Sequence, residues 1–220
     1  MITLKQVEKT YYNKLIQTKV LRGVDLSICK GEFLCIYGSS GSGKSTLLNI
    51  LGLLDDVTAG EYELDGVNVK KLKQKETAQI RNQKFGYVFQ AYHLIPELNV
   101  KENIVVPLGY AGISKKERER TAHKLLEEFH MTELEKKYIS QMSGGEQQRV
   151  SIMRAIANNP QILLADEPTG NLDRENSEIV MEMLSQLNEQ GMTIVMVTHD
   201  TLLAKYGTRV IRIEDGRVVE

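Results

Sequence analysis

Nine consecutive residues, Gly38-Ser39-Ser40-Gly41-Ser42-Gly43-Lys44-Ser45-Thr46, restrict this chain more than anything else in it. They read G-x-x-x-x-G-K-[ST] and stand between an apolar run, residues 33–37, and a stretch that reads as a helix from near Lys44. Consecutive backbone N–H groups wrap a polyphosphate only where side chains do not block the approach, hence Gly41 and Gly43. The helix start adds partial positive charge. Lys44 then supplies a point charge to the β and γ phosphates, and Ser45 offers its hydroxyl to Mg²⁺. The motif therefore predicts a strand, a phosphate-binding loop and a helix in that order.

The remaining pattern agrees, because strand-like and helix-like segments alternate along the chain, which is the mark of an α/β fold. Residues 2–7 and 21–28 alternate between apolar and polar. Residues 61–64 and 67–69 flank an Asp65-Gly66 turn, and this predicts a small antiparallel β subdomain beside a mainly parallel sheet. Residues 100–158 read as helical. There Ala122, Leu125, Leu126 and Phe129 repeat at i, i+3, i+4 and i+7, and the charge run 115–120 is the wet start of that helix. Parallel strands return at 162–165 and 193–198, separated by a helix over 174–190.

Composition narrows the partners. The 28 basic and 29 acidic residues nearly cancel to a net charge of −1, so no bulk field draws this chain to nucleic acid. No apolar run reaches the roughly 18 residues of a spanning helix, and the first residues lack a signal-peptide core. Cys29 and Cys35 show neither C-x-x-C nor a histidine at metal spacing, so both are expected reduced, in a cytosolic setting.

A phosphate loop needs a metal-holding acid at the end of a neighbouring strand. Ile162-Leu163-Leu164-Ala165-Asp166-Glu167 provides it, with Asp166 suited to Mg²⁺ and Glu167 to accepting a proton from attacking water. The separation between Lys44 and Asp166 is about four times the ~30 residues of one strand–helix–strand unit, so a helical segment has been inserted. At its end stands Ser143-Gly144-Gly145-Glu146-Gln147, which reads as a second anion nest at a helix start. Since the first loop already cradles one nucleotide, the economical inference is that this nest reaches nucleotide held by another copy.

Together these motifs resemble the ATP-binding subunits of ABC transporters, from Ile2 to about Val219. The resemblance implies a P-loop ATPase core with an N-terminal antiparallel β subdomain and an inserted helical subdomain. It implies one domain over residues 1–220, with about 1–90 and 160–220 as catalytic core and about 91–159 as the helical part. ATP and Mg²⁺ are the implied ligands. Ser143, Gly144, Gly145 and Gln147 match the family signature that binds ATP in trans, and Asn171-Leu172-Asp173 matches the loop that pairs two subunits. Gln90 matches the glutamine joining Mg²⁺, water and membrane subunit, and His199 the histidine on the γ phosphate. Tyr11 matches the aromatic that stacks on adenine, with adjacent Tyr12 the alternative.

Residues 88–98, Lys101-Glu102-Asn103 and residues 165–173 are most similar to the macrolide-export, lipoprotein-release, antimicrobial-peptide-resistance and cell-division branch. That implies a homodimer closing on two ATP molecules and driving an integral membrane permease, from the cytoplasmic face of the cell membrane, in export or resistance. The other reading is a regulatory ATPase of a non-transporting, cell-division-type complex. Residues 92–98 are the expected groove for the partner's cytoplasmic helix. Three positions depart from the branch, Ser39, Glu146 and Asn171; the carboxylate of Glu146 is expected to weaken anion affinity at the second nest or to alter the ATP dependence of the signature. A chromosome-organising ATPase would need a long coiled coil, and a GTPase an N-K-x-D motif; neither is present.

Overall fold

The structure, a computed structural model, describes residues 1–13 and 16–219. In chain order its elements are β1 (Ile2–Asn13), β2 (Ile16–Ile28), β3 (Phe33–Tyr37), α1 (Lys44–Leu51), β4 (Ala59–Leu64), β5 (Val67–Asn68), α2 (Gln74–Lys84), β6 (Phe85–Phe89), α3 (Val100–Tyr110) and α4 (Lys115–Glu128). There follow α5 (Gly144–Ile156), β7 (Ile162–Asp166), α6 (Arg174–Glu189), β8 (Thr193–Thr198), β9 (Arg209–Glu214) and β10 (Arg217–Val218). The chain divides into two compact units, Met1–Arg81 with Leu187–Glu220, and Asn82–Gln186.

The first unit holds both kinds of sheet that the sequence predicts. An antiparallel sheet runs β2-β1-β4-β5, with Ile2 opposite Ile28, Leu4 opposite Leu26 and Val7 opposite Val24. These apolar partners are buried, and residues 24–28 keep the alternation that the sequence displays. In β1 it holds from Ile2 to Lys5 and breaks at Gln6, where φ is 48° and a register shift turns Val7 inward. In the parallel part, β3 lies between β8 and β9, and Phe33, Leu34, Cys35 and Ile36 are all almost fully buried. A strand covered on both faces has no alternation to show, which is why residues 33–37 read as a plain apolar run. Burial pushes the Cys35 thiol up to about 12, so it is an inert core group; Cys29 is exposed, just beyond β2. Helix α1 buries Leu47, Leu48, Ile50 and Leu51, each side chain contributing roughly 1.5–3 kcal/mol.

In the second unit β6 and β7 pair in parallel and α5 packs on β6 and on α3. The predicted amphipathic helix is α4; Ser114 caps its N-terminus and Ala122, Leu125 and Leu126 are buried. Helix α2, which the sequence reading left unassigned, buries no residue and so carries no apolar stripe to be read.

Candidate functional site

In the first unit the phosphate loop is shaped by close backbone approach. At Gly38 a Cβ would lie 2.3 Å from the carbonyl oxygen of Ile213, so no larger residue fits. Gly41 and Gly43 adopt φ of 78° and 105°, a region that side chains disfavour. Gly43 is the N-cap of α1 and no side chain caps that helix, which leaves its first turn to serve an anion. The N–H of Gly216 donates to the Ser42 carbonyl at 3.0 Å, tying the loop to the turn between β9 and β10. Lys44 is nearly buried, and its ammonium donates to the carbonyls of Gly38 at 2.9 Å and Ser39 at 2.8 Å. The cation is thus held on its own loop.

Parallel pairing then brings a predicted partner to this loop. Tyr37 at the end of β3 is in register with Thr198 at the end of β8, so Gly38 and His199, the next residues, leave the sheet side by side. Beyond α1 stands Asp55, and the Tyr11 hydroxyl donates to its carboxylate at 2.6 Å. Partial burial, then Asp55, hold the Tyr11 phenol above its ordinary value, while the Thr46 hydroxyl works the other way. Tyr12, at 72% exposure, has no such anchorage described.

The second unit repeats the device. Phe89 at the end of β6 is in register with Asp166 at the end of β7, which sets Gln90 beside Glu167. Glu167 has φ of 45°, a left-handed backbone unusual for glutamate, closed by the Gly170 N–H on its carbonyl at 3.0 Å. Gln90 and Asn171 hold each other: the Asn171 amide donates to the Gln90 carbonyl at 3.0 Å, and the Gln90 amide to Asn171 Oδ1 at 3.4 Å. Asp173 accepts the Asn176 N–H at 2.8 Å in the first turn of α6, and that bond keeps its carboxyl below the usual aspartate range.

The segment 143–147 is differently built from the phosphate loop. Ser143 Oγ accepts the Glu146 N–H at 3.3 Å and the Glu146 carboxylate accepts the Ser143 N–H at 2.7 Å, a complete capping box. The Ser143 N–H holds the Glu146 carboxyl below the glutamate range against the smaller opposing effect of burial. Glu146 is therefore a helix cap, and its charge is engaged by its own helix start. Gly145 leaves room for Asn176, whose Oδ1 would lie 1.9 Å from a Cβ, and Gly144 stands close to the Tyr92 hydroxyl. The Gln147 amide donates to the Met142 carbonyl at 3.1 Å, within its own chain.

Two buried amides were given no role by motif reading, although Asn103 stands in a segment that carries the family likeness. Gln148, fully buried, donates to the Pro168 carbonyl at 2.5 Å and so ties α5 to the residue after Glu167. Asn103, also fully buried, accepts the Ile95 N–H at 2.8 Å and donates to the carbonyls of Ile95, Leu98 and Asn99, fastening residues 95–99 to α3. Each carried a signal. Gln148 and Ser151 share a helix face with buried Ile152, and Asn103 lies between Val100 and Ile104, so polar residues occupy core-facing positions.

A phosphate loop set between a parallel strand and a helix defines the class of P-loop nucleoside triphosphatases. Comparison with known proteins narrows this. A family model described as ABC transporter matches residues 21–170. YknY of Bacillus subtilis, named an uncharacterized ABC transporter ATP-binding protein, is 45% identical over 219 residues, spanning 100% of this chain and 95% of that protein. The macrolide export ATP-binding/permease protein MacB of Shigella flexneri is 46% identical over 219 residues, and the chain spans 34% of its length. The dimeric structure of MJ0796, a bacterial ABC transporter cassette, matches with a TM-score of 0.92 at 44% identity, covering 100% of this chain and 97% of that one. A post-hydrolysis state of that cassette bound to ADP and Pi matches at 0.91. The chain belongs to the ABC transporter family, as an ATP-binding cassette. No helix among its described residues is long and apolar enough to cross a membrane.

Proposed function

We propose that this chain is the ATP-hydrolysing subunit of an ABC exporter, two copies closing on two ATP molecules and drawing on a separate membrane permease. The observation that carries the reading is the uncapped start of α1 behind Gly41 and Gly43, a helix mouth open to a triphosphate. Each nucleotide is held by residues 38–46 of one copy and by Ser143, Gly144, Gly145 and Gln147 of the other. Tyr11 stacks on the adenine. Glu167 orients and deprotonates the attacking water, and Gln90 holds that water's position. Lys44 and His199 stabilise charge developing on the γ phosphate. Asn171 and Asp173 lie at the face where copies meet, and residues 92–98 receive the permease.

The residues fit Mg²⁺. Ser45 in the first turn of α1 and half-buried Asp166 at the end of β7 are hard oxygen donors, with Gln90 as a further one, and Mg²⁺ takes few protein ligands beside phosphate and water. Bound there, it would neutralise phosphate charge. The whole chain acts as one ATPase domain, with about 1–90 and 160–220 catalytic and about 91–159 helical, peripheral on the inner face of the membrane through its partner. Export of a macrolide, peptide or lipoprotein is inferred from the kinship with MacB.

The test is the solution mass of Glu167→Gln by light scattering with and without ATP and Mg²⁺. A nucleotide-dependent doubling is expected. A persistent monomer with ATP demonstrably bound would overturn the trans site.

A further inference from the structure

A lysine with its ammonium inside a protein is costly unless something there needs it, and Lys9 is such a residue, at 9% exposure. It lies on β1 two positions before Tyr11, on the same face of the strand. Its ammonium pairs with the Asp55 carboxylate and donates to the Asp56 carbonyl at 2.8 Å. The same ammonium lies over the Tyr11 ring, 4.9 Å from its centroid. The second Asp55 oxygen accepts the Tyr11 hydroxyl at 2.6 Å, so one carboxylate holds both groups. Partial burial alone would push the Asp55 carboxyl up; Lys9 and Tyr11 outweigh it and bring it below the usual aspartate range.

We infer that Lys9 and Asp55 are positioning residues for nucleotide binding: they clamp the Tyr11 ring at one face and at its hydroxyl, so that the opposite face is presented as a fixed platform for the base. The inference rests on the reading of Tyr11 as the base-stacking residue. Asp55 is well placed for this task. It follows α1 closely, with its N–H on the Asn49 carbonyl at 3.3 Å, and α1 begins at the phosphate loop. The 55–58 segment is also stitched to β1, the Thr58 N–H donating to the Glu8 carbonyl at 2.9 Å and the Thr10 N–H to Thr58 Oγ1 at 3.0 Å. The clamp therefore fixes the spacing between base platform and triphosphate cradle before ligand arrives. An exposed tyrosine so held has already lost the rotamer freedom that binding would otherwise take from it. Tyr12 has no part in this arrangement.

The experiment is calorimetric titration of the full chain with ATP and, separately, with inorganic tripolyphosphate, which has no base. Tyr11→Phe keeps the stacking ring and removes only the hydroxyl tether. It should weaken ATP binding roughly 3- to 10-fold, a part of what one base stack supplies, and leave tripolyphosphate binding unchanged. Asp55→Asn and Lys9→Met should do the same, and Asp55→Asn should add little in the Tyr11→Phe background. Unchanged ATP affinity in Tyr11→Phe and Asp55→Asn, or equal weakening of both ligands, overturns the clamp. Tyr11→Ala separates the two levels. If it loses ATP affinity while Tyr11→Phe does not, the platform stands and the clamp falls; if Tyr11→Ala itself binds ATP normally, the platform falls and the clamp with it.

Discussion

Residues 38–46 and 143–147 use the same vocabulary, glycine and serine at the start of a helix, yet they are built to opposite ends. The first takes Gly41 and Gly43 into left-handed backbone and leaves α1 without a side-chain cap. The second keeps Gly144 and Gly145 inside α5, fills the cap with Ser143 and Glu146, and uses the missing side chains to admit Tyr92 and Asn176. One helix start is prepared for a ligand within its own chain. The other is complete by itself, its cap closed by Ser143 and Glu146. A glycine-serine pattern thus says little until the partner of each N–H is known.

The widest difference should appear at Lys44. Lys44→Ala is expected to cut phosphate release by roughly 10²- to 10³-fold, since it removes the charge held at the ligand-facing helix start. Retained turnover would erase the contrast between the two loops. Gly145→Ala comes next. Its Cβ meets Asn176, so unfolding in urea should show a loss of about 1–3 kcal/mol, relieved when Asn176→Ala makes room; a fully stable single variant would mean that the close packing constrains nothing. Ser143→Ala should cost about 1 kcal/mol in the same measurement by opening the capping box.

Smallest is Glu146→Gln, because glutamine still closes the box and only the charge near the helix start is lost, about 0.5 kcal/mol or less at neutral pH. The sign of its pH dependence follows from the lowered carboxyl of Glu146. Its contribution is complete above the unfolded glutamate value near 4.3 and fades as pH falls through the lower folded value. Wild type and variant should therefore differ at pH 7 and converge at lower pH, below about 4. A difference that grows on acidification would remove the cap from the account, and ATP affinity lower in wild type than in Glu146→Gln would bear out the expected weakening of anion affinity.

What could be read early was whatever local backbone chemistry dictates. Residues 33–37 announce a doubly covered strand, Lys44 the helix after it, and Asp65-Gly66 the turn between β4 and β5, because each constraint lies within a few residues. Helix α2 was not legible, since it buries nothing and shows no apolar face. Strands β9 and β10 do carry a local signal: Ile211 and Ile213 alternate with Val210 and Arg212, and Asp215-Gly216 repeats the Asp-Gly turn pattern.

The sequence by itself determined the phosphate loop, the α/β order, the acids at the end of β7 and the kinship with ABC cassettes, since glycine freedom, charge and apolar runs act over short stretches of chain. Tertiary structure alone decided that Gln90 is clasped by Asn171, that Gln148 holds the carbonyl beyond Glu167, and that Tyr11 is the anchored tyrosine through Lys9 and Asp55. Most of these bonds join groups that chain order keeps far apart. Whether a polar side chain ends in water or on a buried partner is an energy difference that only the packed neighbours set.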